Sequence, residues 1–377
     1  MHQIKPYSIL VLCILYGLIA IESNAQKLND VSPFTRLPTK GDGIVLIVKK
    51  MSKYFHTFDT YSTKVMPHIT INNCPICNSS DIVNAFNAVD HFSTKEIFPI
   101  YDCSNCGFRF TNNFPSDKSI GRYYDSPDYI SHSDSKKGII NLLYHFFRKQ
   151  MLKKKVNLIS KYVLESEHSQ GVQSVGNIRL LDIGSGTGYF LNAAKERGYQ
   201  VTGIEKDSKA REYAITSFGL DVKGEQSLWT IESESFDVVT LWHVLEHMQN
   251  LNEVVAKIKS ILKPDGVMIL ALPNHKSHDA KIFKEYWAAY DVPRHLWHFT
   301  TDTVEKLLSR HQFEIIKQKT MPLDAFYISM LSEKYKGNST LMQYIKALVI
   351  GTTGYLRSLS DINLSSSVIY IAKKADK

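Results

Sequence analysis

Three groups of residues in this chain could do chemistry. Cys74-Pro75-Ile76-Cys77 and Cys103-Ser104-Asn105-Cys106 form two C-x2-C knuckles, with the segment Asn78 to Asp102 between them. Each knuckle turns two thiolates toward one cation, and two knuckles complete the tetrahedral set that zinc prefers. Gly107 follows the second pair, where the chain must turn tightly. Because four thiolates leave no open position for water, the expected zinc on Cys74, Cys77, Cys103 and Cys106 is structural. The alternative is two disulfides, which needs an oxidising compartment and leaves Cys13 unpaired.

The second group is the run Asp182-Ile183-Gly184-Ser185-Gly186-Thr187-Gly188, an apolar strand ending in an acid and then glycines at alternating positions. Glycines there let the backbone approach a ligand and adopt positive φ. A dinucleotide loop would read G-x-G-x-x-G, but Tyr189 stands at the third glycine's place. Asp182 would repel a pyrophosphate and attract a sulfonium or ammonium, so the loop points to a cationic cofactor. Downstream of Gly188, Glu205 ends a second strand, where a carboxylate can accept two ribose hydrogen bonds.

The third group is His243 and His247, with Asp291, Arg294, His295 and His298 further on. Imidazoles titrate near neutral pH and can take a proton from an acceptor. His243, His295, His298 and Asp291 are the catalytic candidates. His247 reads more simply as a residue at a helix start, and the Asp291–Arg294 spacing also suits a pair that merely closes a loop.

Alternating short apolar runs and helical stretches after Gly176 are the pattern of βαβ units and a parallel sheet. Expected strands are Arg179 to Ile183, Gln200 to Glu205, Asp237 to Trp242, Gly266 to Leu272, Phe313 to Thr320 and Ser367 to Lys373. Helices are expected from Tyr189, from Ser208, over Leu251 to Leu262, and over Thr301 to Arg310. Apolar residues at helical spacing between Gly138 and Val163 predict an amphipathic connecting helix.

The stretches Leu181 to Gly188, the strand-end Glu205, Phe236 to His247 and Leu262-Lys263-Pro264-Asp265-Gly266 resemble the class I S-adenosylmethionine-dependent methyltransferases, and the resemblance runs from Ile178 to the C-terminus. It implies an α/β fold, a doubly wound, seven-stranded, mostly parallel Rossmann-like sheet in the order 3-2-1-4-5-7-6. S-adenosylmethionine is then the implied cofactor. Asp182, Gly184, Ser185, Gly186 and Gly188 would meet its methionine part and Glu205 its ribose, with Lys206 also among the cofactor-binding residues. Gly224 and Glu225 would lie near the adenine, while Trp242 and His243 complete the pocket. Tyr290 to Phe299, the N-terminal cysteine pairs and the tyrosine-rich stretch Tyr123 to Tyr129 look like features of one bacterial subgroup.

The implied organisation is an extension at 1–65, a zinc-binding unit at 66–135, the connecting helix at 136–175 and a methyltransferase domain at 176–377. The net charge of +8 invites a nucleic-acid reading. Yet residues 1–66 hold eight Lys or Arg against four acids, and 136–155 hold seven basic residues and no acid. The catalytic half is therefore close to neutral, and the helix lysines read as a solvated face. The expected acceptor is a small molecule, such as a sugar or glycan precursor, although the segment 273–377 is too short for the extra domain of sugar C-methyltransferases. An RNA methyltransferase and a non-catalytic binding module are the other readings.

The start of the chain, Met1 to Ala25, resembles an export signal, with Lys5, an apolar core from Ser8 to Ile21, and Ser23-x-Ala25. An intracellular cofactor and thiolate ligands conflict with export. The expectation is a cytoplasmic enzyme with an upstream extension, starting at Met51 or Met66; membrane tethering or export follows only if the segment is retained.

Overall fold

The computed structural model describes residues 68–124, 139–167 and 177–375, and within the helix 139–167 the side chains of 148–163. The expectations for Met1 to Val65 and for the tyrosines after Tyr124 lie outside the described residues. Among the described residues, 68–124, 144–167 and 177–375 belong to one compact unit. Among the described residues no helix is long and apolar enough to cross a membrane.

The N-terminal part is built from short antiparallel strands. β1 (His68–Ile69) pairs with β5 (Phe114–Pro115), and β2 (Ile82–Val89), β3 (Ile97–Cys103) and β4 (Arg109–Thr111) form a meander. Each cysteine knuckle closes with a left-handed residue, Asn78 (φ 62°) in the first and Gly107 (φ 76°) in the second. The N–H groups of Asn78 and Gly107 donate to the carbonyls of Cys74 and Cys103. Asn adopts this conformation at small cost, so the first knuckle needs no glycine.

The helix α1 (Ile139–Glu167) leads to the main sheet. Its Val156, Ile159 and Val163 are buried, at the spacing of one helical face. There follow β6 (Arg179–Ile183), α2 (Tyr189–Glu196), β7 (Gln200–Ile204), α3 (Ser208–Phe218), β8 (Asp221–Lys223), β9 (Phe236–Trp242), α4 (Leu251–Ile261) and β10 (Leu262–Pro273). Then come α5 (His278–Phe283), β11 (Trp297–His298), α6 (Thr301–Arg310), β12 (Phe313–Thr320), α7 (Pro322–Tyr335), α8 (Thr340–Ser360) and β13 (Ser367–Lys374).

The seven-stranded sheet runs β12-β13-β10-β9-β6-β7-β8, which from the other edge is the expected 3-2-1-4-5-7-6. Only β13 is antiparallel to its neighbours. The central strands are apolar without alternation because helices cover both faces; Val238, Val239, Met268, Ile269 and Leu270 are all fully buried. The strand expected from Gly266 starts at Leu262 and carries an irregularity before Val267.

Three features depart from the sequence reading. β8 is very short and reads Asp-Val-Lys, too brief and polar to mark itself. Residues 322–360 form a helical hairpin between β12 and β13 that the pattern did not suggest. Gly351 lies where a Cβ would come within 2.5 Å of the Phe326 ring, so the close packing of α7 on α8 requires it. Finally, the N-terminal meander is not a separate bead. β11 joins its edge, with Trp297 opposite Phe110 and His298 opposite Arg109. Phe108 and Phe110 share one core cluster with Leu241, Leu270 and Trp297.

Candidate functional site

The site is assembled at the carboxyl ends of β6, β7 and β9, the edge where open α/β sheets bind ligands. Gly184, Gly186 and Gly188 all take positive φ, at 73°, 54° and 82°. Gly184 is required sterically, because a Cβ there would fall 2.3 Å from Val244. Gly186 differs: a Cβ there would meet nothing within 4 Å, so its face of the loop is open. Glu205 fixes the loop by accepting from the Gly186 N–H at 2.7 Å and from the Asp207 N–H at 2.8 Å.

Next to this opening lies a cavity of about 280 Å³ lined by Lys206, Glu225, Trp229 and Met248, with Asp117 of the N-terminal part on its far side. Lys206 holds Asp117 at 3.1 Å and Glu225 at 3.4 Å. Gly224 precedes Glu225 in extended conformation at the start of the turn that forms one wall. The Ser185 hydroxyl and the Trp242 indole nitrogen are buried without a hydrogen-bond partner. An open glycine face, a carboxylate on the second strand and two orphaned polar atoms fit a nucleoside-bearing cofactor. A larger groove of about 350 Å³, among Ser233, Lys259 and Lys374, opens at the opposite ends of the strands, away from this chemistry.

Asp182 does not face the opening. It is buried and accepts from the Thr240 hydroxyl at 2.6 Å. Burial pushes its carboxyl up to about 7, against the pull of Thr240 and Lys155. The direct attraction of a sulfonium expected from the sequence is thus replaced by a role under the loop. Lys155, read from the sequence as part of a solvated face, instead turns inward; its Nζ sits 4.2 Å from the centre of the Trp242 ring.

His243 has φ 58° and is gripped by two carboxylates. Its Nε2 lies 3.0 Å from Asp324 and its Nδ1 3.3 Å from Glu246. Burial alone would favour the neutral ring, but Asp324 and Glu246 outweigh it and push His243 up to about 10. At neutral pH this residue is therefore a cation and cannot accept a proton, contrary to the expectation of a base. Asp324 comes from α7, the helix that the sequence did not announce.

The loop 291–298 also sorts its residues. Arg294 is buried and donates to both oxygens of Asp291 (2.6 and 3.0 Å), to Asp90 at 3.1 Å and to the Tyr123 carbonyl at 2.7 Å. Asp291 is held below the usual carboxylate range because the Arg294 charge outweighs its burial. It anchors rather than catalyses. His298 is sealed in β11, with Nε2 3.0 Å from the Thr111 hydroxyl, and burial holds it well below the usual imidazole range. It too is removed from acceptor chemistry by its surroundings.

His295 is different. Its ring lies 4.5 Å from that of His247, edge to face. His295 Nδ1 is 2.8 Å from the Ala289 carbonyl, and His247 Nδ1 is 3.0 Å from the Arg294 carbonyl and 3.4 Å from the Tyr124 hydroxyl. Burial and the neighbouring His295 pull His247 down to about 4, so it is neutral at physiological pH. The Leu296 N–H donates to the Glu246 carbonyl, fastening the loop beside Leu245-Glu246-His247. Val244, which directly precedes Leu245, is the side chain against Gly184. The sequence pattern gave no sign of this role for His247, because its partner Arg294 lies in a distant segment.

The four cysteines of the knuckles come together as expected. Cys74 Sγ is 3.5 Å from Cys106 Sγ, and Cys77 Sγ is 3.5 Å from Cys103 Sγ. All four sulfurs lie within 4.8 Å of one another and none is in a disulfide. A tetrahedral zinc–thiolate site with bonds of about 2.3 Å has sulfur–sulfur edges of about 3.8 Å. Burial pushes the Cys74 thiol up to about 11, while Cys77 falls to about 6 because N–H donors from Ser79 and Asn105 outweigh its burial.

Residues 144–318 match the protein family described as a methyltransferase domain. A ubiquinone biosynthesis O-methyltransferase of Haemophilus ducreyi is 34% identical over 110 residues, covering 26% of this chain and 45% of the relative. A protein of the same name from Pelagibacter ubique is 24% identical over 210 residues, covering 52% of this chain and 82% of that one. The chain thus spans about half the length of the first of these relatives. Among solved structures, a SAM dependent methyltransferase from Archaeoglobus fulgidus aligns with TM-score 0.41 and 21% identity, over 63% of this chain and all of that one.

Proposed function

Since residues 144–318 are a class I S-adenosylmethionine-dependent methyltransferase domain, we propose that the chain transfers the methyl group of S-adenosylmethionine to an oxygen of a small-molecule acceptor. The observation that carries this reading is the open face at Gly186, fastened by Glu205, with the Glu246–His247–His295 cluster fixed to the next loop along the same edge. The cofactor supplies an electrophilic methyl carbon on sulfur. The chain's own tasks are to hold it, to orient the acceptor and to exclude water.

Glu205 and Lys206 are assigned to the ribose, Glu225 to the adenine end of the cavity, and Ser185, Gly186 and Trp242 to the methionine end. An acceptor hydroxyl must lose its proton, and the cluster of Glu246, His247 and His295 is the group of polar side chains assigned to promote that loss. His243, as a fixed cation, positions Asp324 and Glu246. The names of the relatives favour an oxygen acceptor; a sugar or glycan precursor belongs to the same class of small hydroxylated molecules. The four thiolates are assigned to a structural zinc that fixes the meander against the catalytic edge.

The test is a mass-spectrometric screen of small hydroxylated molecules with isotope-labelled cofactor. Label appearing on oxygen supports the reading. Failure of the purified chain to bind S-adenosylhomocysteine would refute it.

A further inference from the structure

We infer that Glu246, His247 and His295 form a second metal site, one that takes a divalent transition-metal ion beside the acceptor. The inference rests on the proposed methyltransferase reading for its role, but the site itself follows from geometry. One ligand atom from each of the three residues lies within 4.8 Å of the other two. Both histidines point Nδ1 at a backbone carbonyl, Ala289 for His295 and Arg294 for His247. A carbonyl only accepts, so Nδ1 carries the proton in each neutral ring and Nε2 keeps its lone pair. This outer arrangement is what orients metal-binding histidines.

Glu246 supplies the independent observation. It is completely buried, yet neither carboxylate oxygen receives a hydrogen bond of proper geometry. His243 stands 3.3 Å from one of them as an ion-pair partner shared with Asp324. A buried carboxylate with free lone pairs is costly unless something charged completes it. The local charge count points the same way. Arg294 serves both Asp90 and Asp291, and His243 serves both Asp324 and Glu246. Lys155 also acts on Asp324, so these seven groups carry three cations against four anions, and a bound cation would offset the remaining negative charge.

Two imidazoles and one carboxylate suit zinc, iron(II) or cobalt(II) rather than magnesium or calcium. At tetrahedral angles with bonds of about 2.0–2.1 Å the ligand atoms stand about 3.3 Å apart, so the ion draws the present set inward. Three protein ligands leave a position open, unlike the four-thiolate site. An acceptor hydroxyl bound there becomes more acidic, releases its proton to solvent and keeps the electron pair that attacks the methyl carbon. The cluster thus activates the acceptor through an ion and not as a free base.

The experiment is metal analysis and cobalt(II) titration of the full chain, alongside Glu246→Gln and His295→Ala. The parent should hold two ions per chain: one with thiolate charge-transfer bands, and one with weaker ligand-field bands only. Each variant should lose the second ion, keep the thiolate bands, and bind S-adenosylhomocysteine within about threefold of the parent. Glu246→Gln is nearly isosteric and guards against loss of fold in the other. A parent that takes up only the thiolate-bound ion, or variants that keep both, would overturn the second site. S-adenosylhomocysteine binding in that event leaves the methyltransferase reading standing, whereas its absence refutes that reading separately.

Discussion

Removing the Glu205 carboxylate should weaken cofactor binding by a factor that the structure lets us work out. Two ribose hydroxyls donating to one carboxylate make two charge-assisted hydrogen bonds, each contributing about 1.5–3 kcal/mol. Their loss in Glu205→Ala amounts to about 3–6 kcal/mol, or a Kd raised by about 10²–10⁴. Glu205 also secures the Gly186 and Asp207 N–H groups, so the upper half of that range is expected. Glu205→Gln keeps one acceptor oxygen and should lose about one bond, a factor of about 10–10². Gly186→Val acts differently. Its side chain would stand in open space and fill the cofactor's room without touching protein, so binding is lost while the fold survives a modest backbone strain at φ 54°. Calorimetric titration with S-adenosylhomocysteine, with circular dichroism as the fold control, reads all three. Parental affinity in both Glu205→Ala and Gly186→Val would refute the assignment, and tight binding of a dinucleotide would replace it.

Turnover and stability should separate the polar residues of the second loop. His295→Ala is expected to lower turnover by a factor on the order of 100 or more with cofactor affinity nearly unchanged; a variant turning over at the parental rate would remove His295 from the mechanism. Arg294→Met should destabilise the fold by about 3 kcal/mol in denaturant titration, because buried Asp90 and partly buried Asp291 lose their shared cation; a loss under about 1 kcal/mol would contradict the buried fork. Folded His243 keeps its proton up to about pH 10, whereas the unfolded ring releases it near 6.5. Its stabilisation is therefore complete below about pH 6.5 and fades as pH rises toward 10. Asp324→Asn should shrink that alkaline loss, and identical pH–stability curves for the two proteins would count against the ion pair. Chelation of zinc should unfold the meander and expose Trp297, whose indole donates to the Met248 carbonyl and packs on Phe114; tryptophan fluorescence unmoved by full metal removal would speak against a structural zinc.

The sequence by itself determined the parts whose signal is local. Parallel strands buried on both faces must be continuous apolar runs, so β6 and β9 were legible almost to their ends, and β12 was expected at its observed bounds after the helix ending at Arg310. Glycine spacing marked a loop that needs positive φ, and two cysteine knuckles marked a ligand set, because each device lies within a few consecutive residues. What only the tertiary structure decided was the protonation and pairing of the polar residues. His243, His247, His295 and His298 are the same residue type, yet one is a cation between Glu246 and Asp324, one is sealed in a strand, and two meet from segments far apart in the chain. The helical hairpin that brings in Asp324 was hidden because Gly351 and Gly354 weaken its local helix signal, although Gly351 is what allows the hairpin to pack. A side chain's charge depends on burial and on neighbours drawn from distant segments, and a linear pattern contains neither until the chain has folded.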